Sequence, residues 1–314
     1  MNLPKVLVIL GPTASGKSSL GVKLAKRFGG EIISADSRQV YKGLDIGTGK
    51  ITKKEMSGIP HYLLDVVSPQ KTFSVAQYQK LANLAIKKTL QKKKLPIIVG
   101  GTGLYIDALI YDLKFPKVKP QKGLRAKLEK FSTEELFKKL KKIDPERAKN
   151  IDKNNRRRLI RAIEIVESTG SPISQISKTP KYDCLKIGIN LSKEILKTKI
   201  KKRLEDRLKS GLVAEVRKLK KQLDGERLDS LGLEYRYVNR YLDGAMTCEE
   251  MKAKLLTEIW HYAKRQMTWF SAKGGSPPKA DGSREHVSSG KEDSEIYWIK
   301  NYREAEKLIK NFLF

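Results

Sequence analysis

A glycine-flanked loop between an apolar run and a helical run constrains this chain more than any other feature. Residues 7–21 read LVILGPTASGKSSLG and contain the pattern Gly11-x-x-x-x-Gly16-Lys17-Ser18. A strand before such a loop and a helix after it form the context in which backbone N–H groups and a helix N-terminus bind phosphate. The sequence therefore predicts a P-loop, in which Lys17 neutralises a di- or triphosphate and Ser18 binds Mg²⁺. The predicted phosphate-binding residues are Gly11, Pro12, Thr13, Ala14, Ser15, Gly16, Lys17 and Ser18.

Strand and helix patterns alternate over the first 110 residues. The segment EIISADS (31–37) has the pattern of a second strand with a polar end, residues 74–93 have helical periodicity, and LPIIVGGTGLYIDALI (95–110) repeats the order strand, glycine turn, helix. Alternation of this kind indicates an α/β fold whose ligands bind at the carboxyl ends of the strands. We therefore predict a P-loop NTPase-like parallel sheet flanked by helices.

The pattern changes after residue 113. Residues 114–180 have amphipathic helical patterns without a convincing strand, and they contain 19 Lys and Arg but only 8 Asp and Glu. This segment is predicted to be a basic helical insertion in a catalytic core formed by residues 1–113 and 181–314. Within the core, residues 272–295 are rich in Gly, Ser, Pro and charge, which predicts a mobile loop.

The overall charge favours a polyanionic partner. The chain has 65 Lys and Arg against 35 Asp and Glu, a formal net charge of +30. Such an excess attracts nucleic acid, although a lysine-rich genome could also produce it. We expect no membrane association, because no apolar run approaches the roughly 20 residues of a membrane span. Cys184 and Cys248 are isolated, which argues against a disulfide framework or a zinc site and favours the cytoplasm.

The position of the acidic residues bears on the kind of phosphate chemistry. P-loop ATPases usually have a later strand that ends in an Asp, which orders the metal. The corresponding run LPIIVGG ends here in Gly100-Gly101-Thr102, whereas Asp36 follows the second strand. This arrangement weakens the ATPase interpretation but leaves a small-molecule kinase possible.

Several long motifs, in the same order along nearly the whole chain, resemble the tRNA dimethylallyltransferases. They are GPTASGKS, ISADSRQVYKGLDIGTGK, IIVGGTGLYIDAL, NNRRRLIRAIEI, SGLVAEVRKL, LGLEYRY and AKRQMTWF. The resemblance implies that the P-loop binds the diphosphate of dimethylallyl diphosphate. It also implies that the dimethylallyl group passes to N6 of the adenosine 3′-adjacent to the anticodon (position 37) in tRNA, and that diphosphate is released.

The resemblance further implies roles for individual residues. Asp36 would be the general base for the N6 amine, although it could instead cap a turn or hold the metal through water. Lys17, Arg217 and Mg²⁺ on Ser18 would stabilise the leaving diphosphate, and Thr102 would lie near its bridging oxygen. We expect a monomer that binds the anticodon stem-loop. The positions implied to contact tRNA are Asp36, Ser37, Arg38, Gln39, Thr102, Arg125, Arg157, Arg158, Leu159, Ile160, Arg161, Leu231, Gly232, Leu233, Glu234, Tyr235, Arg236, Lys264, Arg265, Gln266, Met267, Thr268, Trp269, Phe270 and Ser271.

Three other functions stay open at this stage. An adenylate isopentenyltransferase would share the P-loop and the chemistry but would modify free AMP or ATP. A P-loop small-molecule kinase would consume ATP, and a noncatalytic RNA-binding protein would bind tRNA without any dependence on a diphosphate. The basic insertion and the segment KRQMTWF favour an RNA substrate.

Overall fold

The computed structural model describes residues 3–173, 179–274 and 295–314, and it contains six strands and fourteen helices in those ranges. Contacts divide the chain into two units. The larger unit comprises Met1–Tyr111 and Pro180–Phe314, and the smaller unit comprises Asp112–Thr179. The sequence analysis predicted the insertion at residues 114–180.

The larger unit contains a six-stranded sheet in which every pair of neighbours is parallel, in the order β3-β2-β4-β1-β5-β6. Its strands are β1 (Lys5–Leu10), β2 (Gly30–Ala35), β3 (His61–Tyr62), β4 (Leu95–Gly100), β5 (Asp183–Ile189) and β6 (Tyr297–Ile299). Gly100 pairs with both Leu10 and Ala35, so β1, β4 and β2 end side by side. The predicted α/β fold is confirmed, and the loops after these three strands meet at one edge.

Ten helices accompany the sheet in the described part of the larger unit. They are α1 (Lys17–Phe28), α2 (Lys53–Met56), α3 (Val75–Gln91), α4 (Gly103–Ile110), α9 (Lys193–Lys209), α10 (Leu212–Lys220), α11 (Gly225–Leu231), α12 (Leu233–Leu242), α13 (Cys248–Gly274) and α14 (Tyr302–Leu313). The start of α1 at Lys17 agrees with the predicted helix. Helix α13 extends three residues into the predicted loop of 272–295, and residues 275–294 lie outside the described residues.

Both faces of the sheet are covered by helices. Successive side chains of a strand point to opposite faces, so neighbouring residues of β1 belong to two different core clusters. Val8 packs with Tyr78, Leu109 and Phe270 from α3, α4 and α13. Its neighbour Leu7 belongs to a second cluster formed with α1 and α14. This burial on both faces explains why the strands appear in the sequence as continuous apolar runs rather than alternating ones.

A third core cluster joins helices α9 to α13 and the segment that follows β2. Leu204 of α9, Val216 of α10, Leu228 of α11, Val238 of α12 and Leu255 of α13 are all buried in it. Val40, Tyr41 and Leu44 pack against the same cluster, so the polypeptide after β2 is fixed to these helices rather than to the sheet.

The smaller unit consists of helices around its own apolar core. Its helices are α5 (Lys122–Leu128), α6 (Thr133–Ile143), α7 (Pro145–Asn150) and α8 (Arg156–Thr169), and its described residues form no strand. Leu128, Leu136, Leu140 and Leu159 are buried at its centre. Across the described ranges of the whole chain, every helix is too short or too polar to span a bilayer.

A buried carboxylate organises the smaller unit. The side chain of Glu164 is inaccessible to solvent, and it accepts hydrogen bonds from Arg125 Nε (2.8 Å) and Nη2 (2.7 Å), Arg161 Nη1 (2.6 Å) and the Gln121 amide (2.7 Å). Burial alone would raise the pKa of Glu164. The hydrogen bonds from Arg125, the Gln121 amide and Arg161 outweigh burial and lower this pKa to about 2.

We expect Glu164→Gln to lower the free energy of unfolding at pH 7 by roughly 1–3 kcal/mol, because the amide loses charge-assisted hydrogen bonds from two arginines. The pKa of Glu164 is lower in the folded state, so its stabilisation is complete above the unfolded value of 4.5 and is lost as pH falls toward 2. The variant should therefore lose less stability than wild type between pH 5 and pH 3. Urea unfolding measures both effects. Glu167→Gln, which removes a partly exposed pair with Lys139, is the control; an equal loss in both variants would contradict the assigned role.

Candidate active site

A cleft opens where β1, β2 and β4 end. The P-loop after β1 contributes Thr13, Lys17 and Ser18 to its wall, Asp36 and Gln39 follow β2, and Gly101 follows β4. The predicted phosphate-binding loop, the predicted base and the glycine turn are therefore brought together. The order of the strands causes this, because β4 lies between β1 and β2.

The P-loop has a backbone suited to surround an anion. Ala14 and Gly16 both have positive φ, 61° and 94°, which turns the chain back before α1. Gly16 is the N-cap of α1 and provides no side-chain hydrogen bond to the first turn. The N–H groups of that turn can then bind an anion, whose negative charge the helix dipole also favours.

Two half-buried cations, Lys17 and Arg203, line the cleft. Lys17 Nζ donates to the Pro12 carbonyl (2.6 Å), while Arg203 of α9 donates to Thr13 Oγ1 and to the Gly49 carbonyl, both at 3.3 Å. Burial, together with Arg203, lowers the pKa of Lys17 to about 7. Burial, together with Arg207, lowers the pKa of Arg203 to about 10. Desolvation therefore weakens the cationic form of each residue relative to water, more for Lys17 than for Arg203 at neutral pH, and a bound polyanion would stabilise both cations.

Asp36 is held beside the turn that follows β4. Its Oδ1 accepts from the backbone N–H groups of Arg38 (2.8 Å) and Gln39 (3.3 Å). The Ser37 amide donates to Thr102 Oγ1 (3.1 Å), and the Thr102 amide donates to the Ala35 carbonyl (3.1 Å). Asp36 therefore caps a turn, and the same contacts fix its carboxylate next to Thr102.

The loop of residues 45–49 forms another wall of the cleft, and Glu215 of α10 holds it. The carboxylate accepts from the backbone N–H groups of Asp45 (3.0 Å), Ile46 (2.7 Å) and Gly47 (2.9 Å), and from the Tyr235 hydroxyl (2.8 Å). A Cβ on Gly47 would lie 2.6 Å from that phenol, so only glycine fits there. These contacts explain why the motifs around Gly47, Glu215 and Tyr235 occur together in one sequence.

The structure buries six of the side chains predicted to contact tRNA: Leu159, Ile160, Leu231, Tyr235, Gln266 and Phe270. The four apolar ones and Tyr235 pack in core clusters, and Gln266 forms hydrogen bonds inside the larger unit. Direct contact of Leu159, Ile160, Leu231, Tyr235 and Phe270 with RNA is therefore not supported, because each side chain would have to leave its core cluster. Gln266 differs from these five because it also lines the cleft.

The other predicted tRNA-contacting residues remain accessible. The exposed ones are Arg38, Arg157, Arg158, Lys264, Arg265 and Thr268. The half-buried ones are Asp36, Ser37, Gln39, Thr102, Arg125, Arg161, Gly232, Leu233, Glu234, Arg236, Met267, Trp269 and Ser271. Their contact with RNA stays a prediction.

Two predicted catalytic residues, Thr102 and Arg217, are not among the residues that line the cleft, whereas Arg203, which was not predicted, lines it. Arg217 is exposed on α10, whereas Arg203 of α9 lines the cleft. The sequence contained a weak signal for this difference. Arg203 and Arg207 are four residues apart and alternate with the buried positions Ile200 and Leu204, so they lie toward the inner side of α9.

The oxygen atoms of the cleft fit a magnesium ion that arrives with a diphosphate. The Ser18 hydroxyl and the Asp36 carboxylate line the same cleft, and no group of three or more His, Cys, Asp or Glu residues suited to a metal occurs among the described residues. Mg²⁺ commonly uses one or two protein oxygens together with phosphate oxygens and water. The residues thus fit a metal shared with the substrate rather than a cage built by protein alone.

Comparison with known proteins identifies a single family. The family model described as IPP transferase matches residues 39–273. A tRNA dimethylallyltransferase of Caldanaerobacter subterraneus subsp. tengcongensis is 45% identical over 85% of this chain and 89% of the relative. A tRNA dimethylallyltransferase of Thermoanaerobacter sp. is 42% identical over 98% of this chain and 96% of the relative.

Solved structures agree with these matches. The tRNA isopentenylpyrophosphate transferase of Bacillus halodurans has a TM-score of 0.69 at 36% identity, covering 98% of this chain and 95% of its own. A eukaryotic dimethylallyltransferase acting on tRNA has a TM-score of 0.76 at 26% identity, covering 98% of this chain and 77% of its own. The sequence comparisons and the structure comparisons thus both match this chain to enzymes that transfer a dimethylallyl or isopentenyl group to tRNA.

We expect Arg203→Ala to weaken the binding of inorganic pyrophosphate with Mg²⁺ by about 10- to 100-fold, because a charge-assisted hydrogen bond in a half-buried site is lost. Arg217→Ala should change the affinity by less than about twofold, because an exposed charge is screened. Isothermal titration calorimetry gives both dissociation constants. A larger effect from Arg217 than from Arg203 would contradict the position assigned to the diphosphate.

Proposed function

The chain belongs to the IPP transferase family, and from this premise we propose that it transfers the dimethylallyl group from dimethylallyl diphosphate to N6 of the adenosine 3′-adjacent to the anticodon in tRNA. The observation that carries the proposal is the pair of half-buried cations, Lys17 and Arg203, which line the same cleft as Asp36. This combination supports a reaction in which a polyanion leaves and a proton is removed.

The P-loop side of the cleft would hold the donor. Lys17, Arg203 and the N-terminus of α1 surround the volume in which a diphosphate fits, and they stabilise the charge that develops as the allylic C–O bond breaks. Mg²⁺, bound through the Ser18 hydroxyl and the diphosphate, would supply further neutralisation of that charge. Gly101 and Thr102 follow β4, so this strand does not end in the Asp that usually orders the metal in an ATP-hydrolysing P-loop protein.

The Asp36 side of the cleft would act on the acceptor. The N6 amine of adenosine is a weak nucleophile because its lone pair is delocalised into the ring, so removal of its proton during attack lowers the barrier. The N6–C1 bond forms, the C1–O bond breaks, diphosphate leaves and the proton passes to the Asp36 carboxylate. The contacts of the Arg38 and Gln39 amides use Oδ1, which favours Oδ2 as the atom that takes the proton.

The RNA would be held chiefly through its phosphates. Arg38, Lys264 and Arg265 are exposed in the larger unit, and Arg157 and Arg158 are exposed in the smaller one. The target base would leave its stack to enter the cleft, as other base-modifying enzymes require. A tRNA substrate places the reaction in the cytoplasm, and the charge of +30 favours tRNA over a free nucleotide.

We expect Asp36→Asn to lower kcat for transfer to tRNA by about 10²- to 10⁴-fold, the usual contribution of a general base. The amide oxygen still accepts the two backbone hydrogen bonds, so the turn and the affinity for tRNA should stay nearly unchanged. Steady-state kinetics with radiolabelled donor, together with filter binding of tRNA, measure the two quantities. A kcat within about threefold of wild type would remove Asp36 from this role.

The acceptor is tested by offering unmodified tRNA, AMP and ATP in parallel to the wild-type protein with labelled dimethylallyl diphosphate and Mg²⁺. Label in tRNA alone, recovered as the N6-modified nucleoside next to the anticodon, is the expected result. Label in AMP or ATP would reassign the chain to modification of free nucleotides. Turnover of ATP with no transfer of label would identify a kinase.

A further inference from the structure

We propose that Gln266 of α13 is a positioning residue that couples the P-loop to the turn carrying Thr102. Through this coupling, the donor diphosphate and the acceptor base are held at the reacting distance. The inference rests on the proposed function and assigns to Gln266 a role different from the tRNA contact predicted by sequence. Its side chain touches protein on both sides of the cleft and acts through those contacts.

The Gln266 amide links two neighbouring loops, the P-loop after β1 and the turn after β4. Its Oε1 accepts from the Thr13 backbone N–H (2.7 Å), and its Nε2 donates to the Gly101 carbonyl (2.8 Å). The residue is 7% exposed, so water does not easily replace either bond. An amide is the side-chain group that can donate and accept at the same time without carrying charge.

The turn after β4 is shaped to admit this amide. A Cβ on Gly101 would lie 2.2 Å from Gln266 Nε2, so any larger residue would push the amide away. On α13, Ala263 and Phe270 lie on the same side as Gln266 and are themselves buried. The packing of α13 and the close approach of Gly101 therefore both hold the Gln266 amide in place.

The contacts of Gln266 lead toward the predicted base through two peptide links and one further hydrogen bond. Thr102, the residue after Gly101, accepts from the Ser37 amide, and Ser37 follows Asp36 directly. A displacement of the P-loop at Thr13 would thus reach Asp36 through Gln266 and Thr102. The Thr13 N–H is occupied by Gln266, whereas the Thr13 hydroxyl, which accepts from Arg203, belongs to a residue that lines the cleft.

This arrangement predicts a specific kinetic effect. If Gln266 sets the distance between donor and acceptor, its loss should lower kcat while the diphosphate-binding groups remain in place. A displacement of about 1 Å at reacting atoms can reduce the rate by about 10²-fold. A residue that only stabilised the fold would instead lower the amount of active protein and leave kcat per folded molecule unchanged.

The test uses Gln266→Met, which keeps the side-chain volume and removes both hydrogen bonds, and Gln266→Glu, which can still accept from Thr13 but repels the Gly101 carbonyl. Both should lower kcat by about 10- to 100-fold and leave KM for dimethylallyl diphosphate within about threefold. Gln222→Met, the same exchange at an exposed position at the end of α10, is the control and should retain wild-type kinetics. Urea unfolding of each variant separates folding from catalysis.

A double-mutant cycle with Gly101→Ala tests the contact itself. Each single variant should lower kcat, and the double variant should be no slower than the worse single variant, because both break the same link. Multiplicative losses, a rise in KM alone, or losses explained by the folded fraction would overturn the proposal. Transfer by wild type in the same assay reports on the proposed function separately, so the two failures are distinguishable.

Discussion

Two half-buried cations, placed together with one carboxylate at the edge of a parallel sheet, dominate the organisation of this structure. Lys17 and Arg203 both donate to uncharged oxygens, and desolvation is the main cause that lowers the pKa of each. Removing part of their hydration costs free energy, which other interactions of the fold must offset. The apolar clusters on both faces of the sheet and among α9 to α13 supply the rigidity that keeps these charges in place.

The same constraint explains the roles of the helices behind the cleft. Helix α9 places Arg203, and its neighbour Arg207 is paired with Glu234 of α12 (2.6 Å). Glu215 of α10 fixes the loop of residues 45–49, and Gln266 of α13 fixes the P-loop against the turn after β4. Each wall of the cleft is therefore held by a polar side chain from a helix that packs in the core. Such support is what keeps catalytic groups at a defined distance.

Local patterns in the sequence predicted much of the larger unit. The P-loop, the start of α1 and the place of Asp36 after β2 follow from short-range signals, namely apolar runs, glycines and helical periodicity. The two-residue strand β3 and the four-residue helix α2 were missed, because elements so short have no periodicity to detect. The position of Arg203 was missed because it depends on the packing of α9 against residues distant in sequence.

The tRNA-contacting positions show where resemblance and structure diverge. Motifs such as RRRLIRA and KRQMTWF combine exposed arginines and lysines with buried side chains on the same helix, and a motif alone does not separate the two. On α8, Leu159 and Ile160 are buried, whereas Arg157 and Arg158 are exposed to solvent. On α13, Gln266 and Phe270 are buried, whereas Lys264 and Arg265 are exposed to solvent. The helical period of 3.6 residues accounts for this alternation within each motif.

The central claim is that this P-loop binds an allylic diphosphate rather than a nucleotide. Equilibrium competition between dimethylallyl diphosphate and ATP for the wild-type protein, each with Mg²⁺, tests it most directly. The account predicts that dimethylallyl diphosphate binds at least about tenfold more tightly than ATP, a difference of about 1.4 kcal/mol. Tighter binding of ATP, with displacement of the allylic donor, would contradict it.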